Sequence, residues 1–231
     1  MENRKFPPSF VTALIFLASL GCSPSLIPID KDEMARLRSE PKIHVVAYQP
    51  AKFNYSTASD GFTVGVVGAL SGGLGGAVYG LAMEARADRF VKTYSLEDPV
   101  SRSKEAFIAS LPDHIDAARL THAQDILSED GIEVLRKKFS DGVVLDFKTE
   151  LWGLMAAPFS TLYQIPYAVR SRFVRVADGR VLWQGYCNRD GADSRASFDE
   201  FTAHSGALLK KKLGEAAEAC GKELTTQFLG R

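Results

Sequence analysis

The 231-residue chain carries 28 basic and 28 acidic side chains, and this even balance speaks against a nucleic-acid protein, which needs a basic face or tail. Hydrophobic residues make up 45% and charged residues 24%, enough apolar material for a packed core and too much for a disordered chain. The length suits one or two domains.

The first residues, "MENRK", are charged, and residues 10–20, "FVTALIFLASL", are uncharged and mostly apolar. That run is shorter than the roughly 20 apolar residues a spanning helix needs. With small residues behind it, it reads as a secretory signal. It closes on Gly21 and Cys22, "ASLGC", which resembles the lipobox of bacterial lipoproteins, although Ser19 stands where that family usually has leucine. The resemblance implies cleavage before Cys22 and a diacylglycerol on its thiol. The other reading is an ordinary signal peptide with a chance cysteine. Ser23 after the cysteine implies, by the same resemblance, the outer membrane facing the periplasm. Residues 1–21 are then a signal peptide, residues 22–40 a polar, proline-bearing tether, and residues 41–231 a single domain.

Residues 42–49 are rich in β-branched and aromatic side chains and read as a strand ending before Pro50. A polar loop leads to residues 61–80, "GFTVGVVGALSGGLGGAVYG", with eight glycines. Gly68, Gly72, Gly76 and Gly80 are four apart and form one bare stripe on a helix expected over residues 66–83. No lysine lies between Lys52 and Lys92, so a P-loop is excluded, and Val78 stands where a dinucleotide fingerprint needs its third glycine. Residues 61–83 are uncharged, long enough to span, and the stripe suits close helix packing in a membrane. Tight packing within a soluble domain explains the same pattern equally well.

Asp98 and Pro99 open the next helix as N-cap and first helical residue, and the helix stops before Pro112. Residues 114–121 are expected as a short strand. Ser128 is expected to cap a short helix whose Ile132, Leu135 and Phe139 share a face. Residues 141–154 then form a strand with Val143, Leu145 and Phe147 on one side and Val144, Asp146 and Lys148 on the other. A second strand alternates Val169, Ser171 and Phe173 against Arg170, Arg172 and Val174. Asp178 and Gly179 make a hairpin turn into a third strand, residues 181–189, with Val181, Trp183, Gly185 and Cys187 on one face. A long final helix repeats Phe198, Phe201, Ser205, Leu209, Leu213, Ala216, Cys220 and Leu224 at three- and four-residue spacing. The fold class is α/β: a mixed sheet with a C-terminal three-stranded antiparallel meander, covered by helices that include the long last one.

Few residues here point to catalysis. His44, His114, His122 and His204 have no histidine four residues away, so no metal site is expected, and no cofactor is implied. No G-x-S-x-G elbow is present, and Ser205 and Gly206 after His204 fall inside the expected helix, without a strained turn. Glu129 and Asp130 suit a helix N-terminus. Arg170, Arg172 and Arg175 would meet an anionic ligand, or else sit on a solvated sheet face paired with carboxylates. With Cys22 assigned to lipid, Cys187 and Cys220 remain as one pair. In an oxidising compartment they are expected to form a disulfide between the third meander strand and the last helix.

Residues 100–228, with the blocks "GVVLDFKTEL" and "YAVRSRFVRVADGRVLWQG" and the closing helix, resemble uncharacterised bacterial lipoproteins. More distantly they resemble the α/β domain of curli-secretion, penicillin-binding-protein-activator and TolB amino-terminal type proteins, with Asp178, Gly179 and Trp183 in the matching turn. The resemblance implies a non-enzymatic envelope module that binds a protein partner, or itself, and meets the membrane through its lipid. The alternative is a periplasmic enzyme, of hydrolase type, whose site the sequence does not display.

Overall fold

The computed structural model describes residues 25–57, 74–111 and 115–230. In chain order these hold helix α1 (Lys31–Ser39), strands β1 (Ile43–Tyr48) and β2 (Asn54–Ser56), and helices α2 (Leu74–Tyr94) and α3 (Val100–Ala109). Strand β3 (Leu120–Leu127), helix α4 (Ile132–Lys138) and strands β4 (Val143–Ala156), β5 (Tyr163–Gln164), β6 (Tyr167–Arg175) and β7 (Val181–Arg189) follow, and helix α5 (Phe198–Phe228) closes the domain.

The main sheet has the order β3-β1-β4-β6-β7. β3, β1 and β4 are parallel, and β4, β6 and β7 form the antiparallel meander. The fold class is thus the mixed α/β one expected. β4 is 14 residues long and outruns its partner β6 at Trp152, after which it pairs with β2 and β5. This smaller spur contains two short strands that composition did not reveal.

Period-two alternation sends Val143, Leu145, Phe147, Val169 and Phe173 into the larger core under α3 and α5. Phe107 of α3 sits at its centre, 5.6 Å from the Trp183 ring, 5.4 Å from Phe147 and 5.9 Å from Phe228. Truncating a buried phenylalanine in such a cluster costs about 3–5 kcal/mol. α3 and α5 cross closely at Gly221, where an added Cβ would lie 2.4 Å from the Ser103 carbonyl oxygen. The opposite face holds a smaller core of Val46, Tyr48, Leu135, Val144, Val174 and Val176 beneath α4.

Six local expectations are corrected. Much of the expected tether, residues 22–40, is packed. Ile27 pairs with Gln184 on the outer edge of β7, and Asp30 caps α1 by accepting from Glu33 N–H at 2.7 Å. Leu37 is buried in the main core. The strand expected over residues 114–121 lies instead at Leu120–Leu127, because pairing with distant β1 rather than local composition places it. Gly131, not Ser128, is the N-cap of α4, and Asp98 accepts from Val100 N–H while Pro99 takes the cap position. Register slips between β6 and β7, so that Val181 pairs with Val174 and Trp183 with Phe173. That bulge turns Val181 to the α4 face, away from Trp183. Finally, α5 is broken at residues 203–206, where His204, Ser205 and Gly206 have φ of 49°, 57° and 76°. Gly206 takes the left-handed conformation without a Cβ penalty while packed on the Tyr94 ring. Ser205 therefore leaves the apolar stripe and is exposed.

Candidate functional site

β6 presents Arg170 and Arg172 on the face away from the large core, beside Asp146 and Lys148 of β4, which pair with them across the sheet. Arg172 donates from Nη2 to Asp146 Oδ2 at 2.6 Å and from Nε to both carboxylate oxygens at 3.0 and 3.3 Å. Tyr48 of β1 donates to the same carboxylate at 2.9 Å. Arg172 also donates to the Asp130 carbonyl oxygen at 2.8 Å, fastening the loop before α4.

Lys148 and Arg170 stand directly opposite each other, a like-charge pair that alone is unfavourable. Asp130 answers both: its carboxylate lies 3.2 Å from Lys148 Nζ and accepts from Arg170 Nη2. A second bulge, at Glu150, brings that carboxylate to Arg170 Nε at 3.2 Å. Arg170, Arg172 and Lys148 thus meet Asp130, Asp146 and Glu150, three charges against three.

Electrostatics follow the geometry. Burial lifts the Tyr48 phenol well above its usual range, and the Asp146 carboxylate lifts it further. Burial works against the Asp130 carboxylate, but Arg170 and Lys148 outweigh it and hold its pKa below the ordinary value. Burial likewise opposes the Arg172 charge, and Asp146 more than offsets it. Arg170 and Arg172 are only 6% and 7% exposed. The two arginines are therefore paired with carboxylates, as one sequence reading had it, and they are buried with Asp146, while Asp130, Lys148 and Glu150 remain partly exposed at the edge. An external anion would have to displace Asp130 or Asp146. Arg175 belongs elsewhere: it bonds Asp178 at 2.9 Å and Glu33 of α1 at 3.1 Å. Bonding from Arg175 and the Arg180 N–H pulls the Asp178 carboxyl down to about 2.

Cys187 and Cys220 form the expected disulfide, fully buried, with their Cα atoms 5.4 Å apart. His44 packs on Phe139 with the rings tilted by 33° and their centres 4.4 Å apart, and its Nε2 lies 3.2 Å from the Asp141 carbonyl oxygen. Glu129 and Asp130 do not simply serve the α4 N-terminus, since Asp130 is spent on the arginines. His204 lies at the break in α5, so the strained turn denied by the sequence reading does exist there. Gly76 and Gly80 fall within α2, whereas Cys22, Gly68, Gly72 and His114 lie outside the described residues. Among the described residues no helix is long and apolar enough to cross a membrane, and no group of three or more His, Cys, Asp or Glu residues is arranged for a metal.

Sequence reasoning missed a buried polar chain on the large-core face. Thr149 donates to Asp98 at 2.7 Å, and burial raises the Asp98 pKa despite that bond. Ser103 donates to the Ala217 carbonyl oxygen at 2.8 Å, which leaves Tyr167 to donate to Ser103 at 2.9 Å. This chain ties α3 to α5 and β6. Its members are scattered over the sequence, and no spacing signals it.

No family model matches the chain, and no curated protein matches it. Among solved structures, a PelC dodecamer from Paraburkholderia phytofirmans is similar with a TM-score of 0.32 and 13% identity, covering 84% of this chain and 95% of that one. Lipoprotein GNA1162 from Neisseria meningitidis is similar with a TM-score of 0.26 and 14% identity, covering 77% and 99%. Protein XCC0632 from Xanthomonas campestris has a TM-score of 0.32 and 15% identity, covering 55% and 61%. Likenesses this distant assign neither family nor activity to the chain.

Proposed function

We propose that the protein is a non-enzymatic lipoprotein of the bacterial cell envelope, anchored through acylated Cys22 at the periplasmic side of the outer membrane. Its domain serves as a structural or partner-binding module. The observation that carries the reading is the Cys187–Cys220 bridge. Disulfides persist in oxidising compartments, where the apolar leader ending at Gly21 and Cys22 would deliver the chain. The charge network supports a module rather than a catalyst, because Arg170 is engaged with Asp130 and Glu150, and Arg172 with Asp146. The kinship proposed is with the curli-secretion, penicillin-binding-protein-activator and TolB amino-terminal type domain, on the strength of Asp178, Gly179, Trp183 and the closing helix. The stripe of Gly68, Gly72, Gly76 and Gly80 is the proposed contact with a second copy or with the membrane.

Mass measurement of the mature amino terminus tests the anchor. The expected outcome is a chain beginning at Cys22 that carries diacylglycerol. A free thiol at Cys22, or cleavage elsewhere, sinks the proposal.

A further inference from the structure

The meander has hairpin tips at opposite ends, and their chemistry differs. The β6–β7 turn carries Asp178 between Arg175 and Arg180, as a tip in water should. The β4–β5 tip, residues 157–162, sits in an uncharged run from residue 151 to residue 169. At its apex Phe159 is fully exposed, with a φ of 55° that is unusual for a bulky side chain. Leu162 is partly exposed beside it. The tip is held in shape: Ala157 N–H donates to the Leu162 carbonyl at 2.9 Å, and Leu162 N–H donates to Ser160 Oγ at 3.0 Å. Single exposed apolar residues are ordinary. A phenylalanine displayed on a constrained, uncharged tip that extends past the main sheet is a different arrangement.

The amino-terminal chain points to the same end. Ile27 pairs antiparallel with Gln184, and Gln184 Nε2 donates to the Ser25 carbonyl oxygen at 2.6 Å. Read backwards from Ile27 to Ser25, the chain therefore runs toward Arg189, which lies level with Tyr167 and Trp152 at the root of the spur. Cys22 precedes Ser25 by three residues, a reach of at most about 11 Å.

We propose that the β4–β5 tip is a bilayer-contacting surface and that Phe159 is the side chain it inserts, at the headgroup–acyl boundary where peripheral proteins bury apolar side chains. The orientation rests on the lipid-anchor reading. The domain then stands on the membrane by its spur, with the charged β6–β7 turn farthest from it.

The test uses full-length mature protein in phosphatidylethanolamine–phosphatidylglycerol vesicles whose acyl chains are partly brominated. Phe159→Trp is compared with Ala177→Trp in the opposite turn; Trp152 and Trp183 are buried and give both the same background. Loss of emission and a blue shift are expected for Phe159→Trp and neither for Ala177→Trp. Equal quenching of both, or none of Phe159→Trp, overturns the proposal, and self-crosslinking of Phe159→Cys without quenching assigns the tip to a second copy instead. The mass of the amino terminus in the same preparation separates the two claims. Acylated Cys22 without quenching removes only the tip contact, and quenching without acylation removes only the anchor.

Discussion

On the face of the sheet beneath α3 and α5, Phe107, Phe147, Trp183 and Phe228 fill the space and a disulfide joins sheet to helix. On the face beneath α4, a small aliphatic cluster gives way to six charged side chains and a tyrosine. One face is held by area removed from water and a covalent crosslink. The other depends on every buried charge keeping its partner, since removing one partner strands the other's charge at a cost comparable to truncating a core aromatic side chain. Losses on the aromatic face should therefore follow the volume removed, and losses on the charged face should follow which partner is left behind.

Breaking the charged face is the severest test. Arg172→Met leaves Asp146, fully buried, with only Tyr48 as a partner among these contacts. The expected loss is about 3–5 kcal/mol, read from the urea midpoint. Replacing the group together, Tyr48→Phe with Asp146→Leu and Arg172→Met, should recover most of that loss, because paired charges and apolar groups of similar size come out nearly even. A triple variant as unstable as the single one would mean that the charges do more than compensate one another.

The aromatic face yields next. Cys187→Ala with Cys220→Ala removes a bridge closing a 33-residue separation, for an expected loss of about 3–4 kcal/mol in the chain-entropy model. Reduction of the parent protein should reproduce it. This bridge was legible in the sequence, as were both faces of β4 and β6, the Asp178–Gly179 turn and the long last helix. All of them rest on local periodicity, on a turn dipeptide or on a count of cysteines. What stayed hidden depends on register between distant segments. β3 is placed by β1, the two-residue β5 by the far end of β4, and Glu150 reaches Arg170 only through a bulge. The break at His204 and Ser205 was hidden because the helical spacing of Phe201, Leu209 and Leu213 runs straight across it, although histidine is one of the residue types that does enter the left-handed region.

Acid titration separates the faces by sign. Asp130, on the charged face, has a folded pKa below its ordinary value of 3.8. Its contribution is present above that value and lost as pH falls through the folded pKa. Asp98, on the aromatic face, has its pKa raised from 3.8 by burial. Its contribution is present below 3.8 and lost as pH rises through the raised value. In urea midpoints, the deficit of Asp130→Asn relative to the parent should shrink as pH falls. Asp98→Asn keeps an acceptor for Thr149 and Val100, and should gain on the parent as pH rises. Parallel pH profiles for the two variants would erase the distinction.

The smallest effect comes from a polar group that departs from the pattern of the aromatic face. Ser171 lies in β6 between Phe147 and Gly185, fully buried, and its hydroxyl has no hydrogen-bond partner among the described residues. Asp98, Thr149, Ser103 and Tyr167 on the same face are all bonded. An unsatisfied buried hydroxyl costs about 1–3 kcal/mol, whereas the serine-to-alanine change removes one atom and little packing. Ser171→Ala should therefore raise stability by about 1 kcal/mol, or about 2–4 °C in Tm for a domain of this size. Calorimetry on the single variant decides it. A fall in Tm would mean that the hydroxyl is satisfied, with a buried water as its partner, and that the aromatic face tolerates unpaired polarity no better than the charged one.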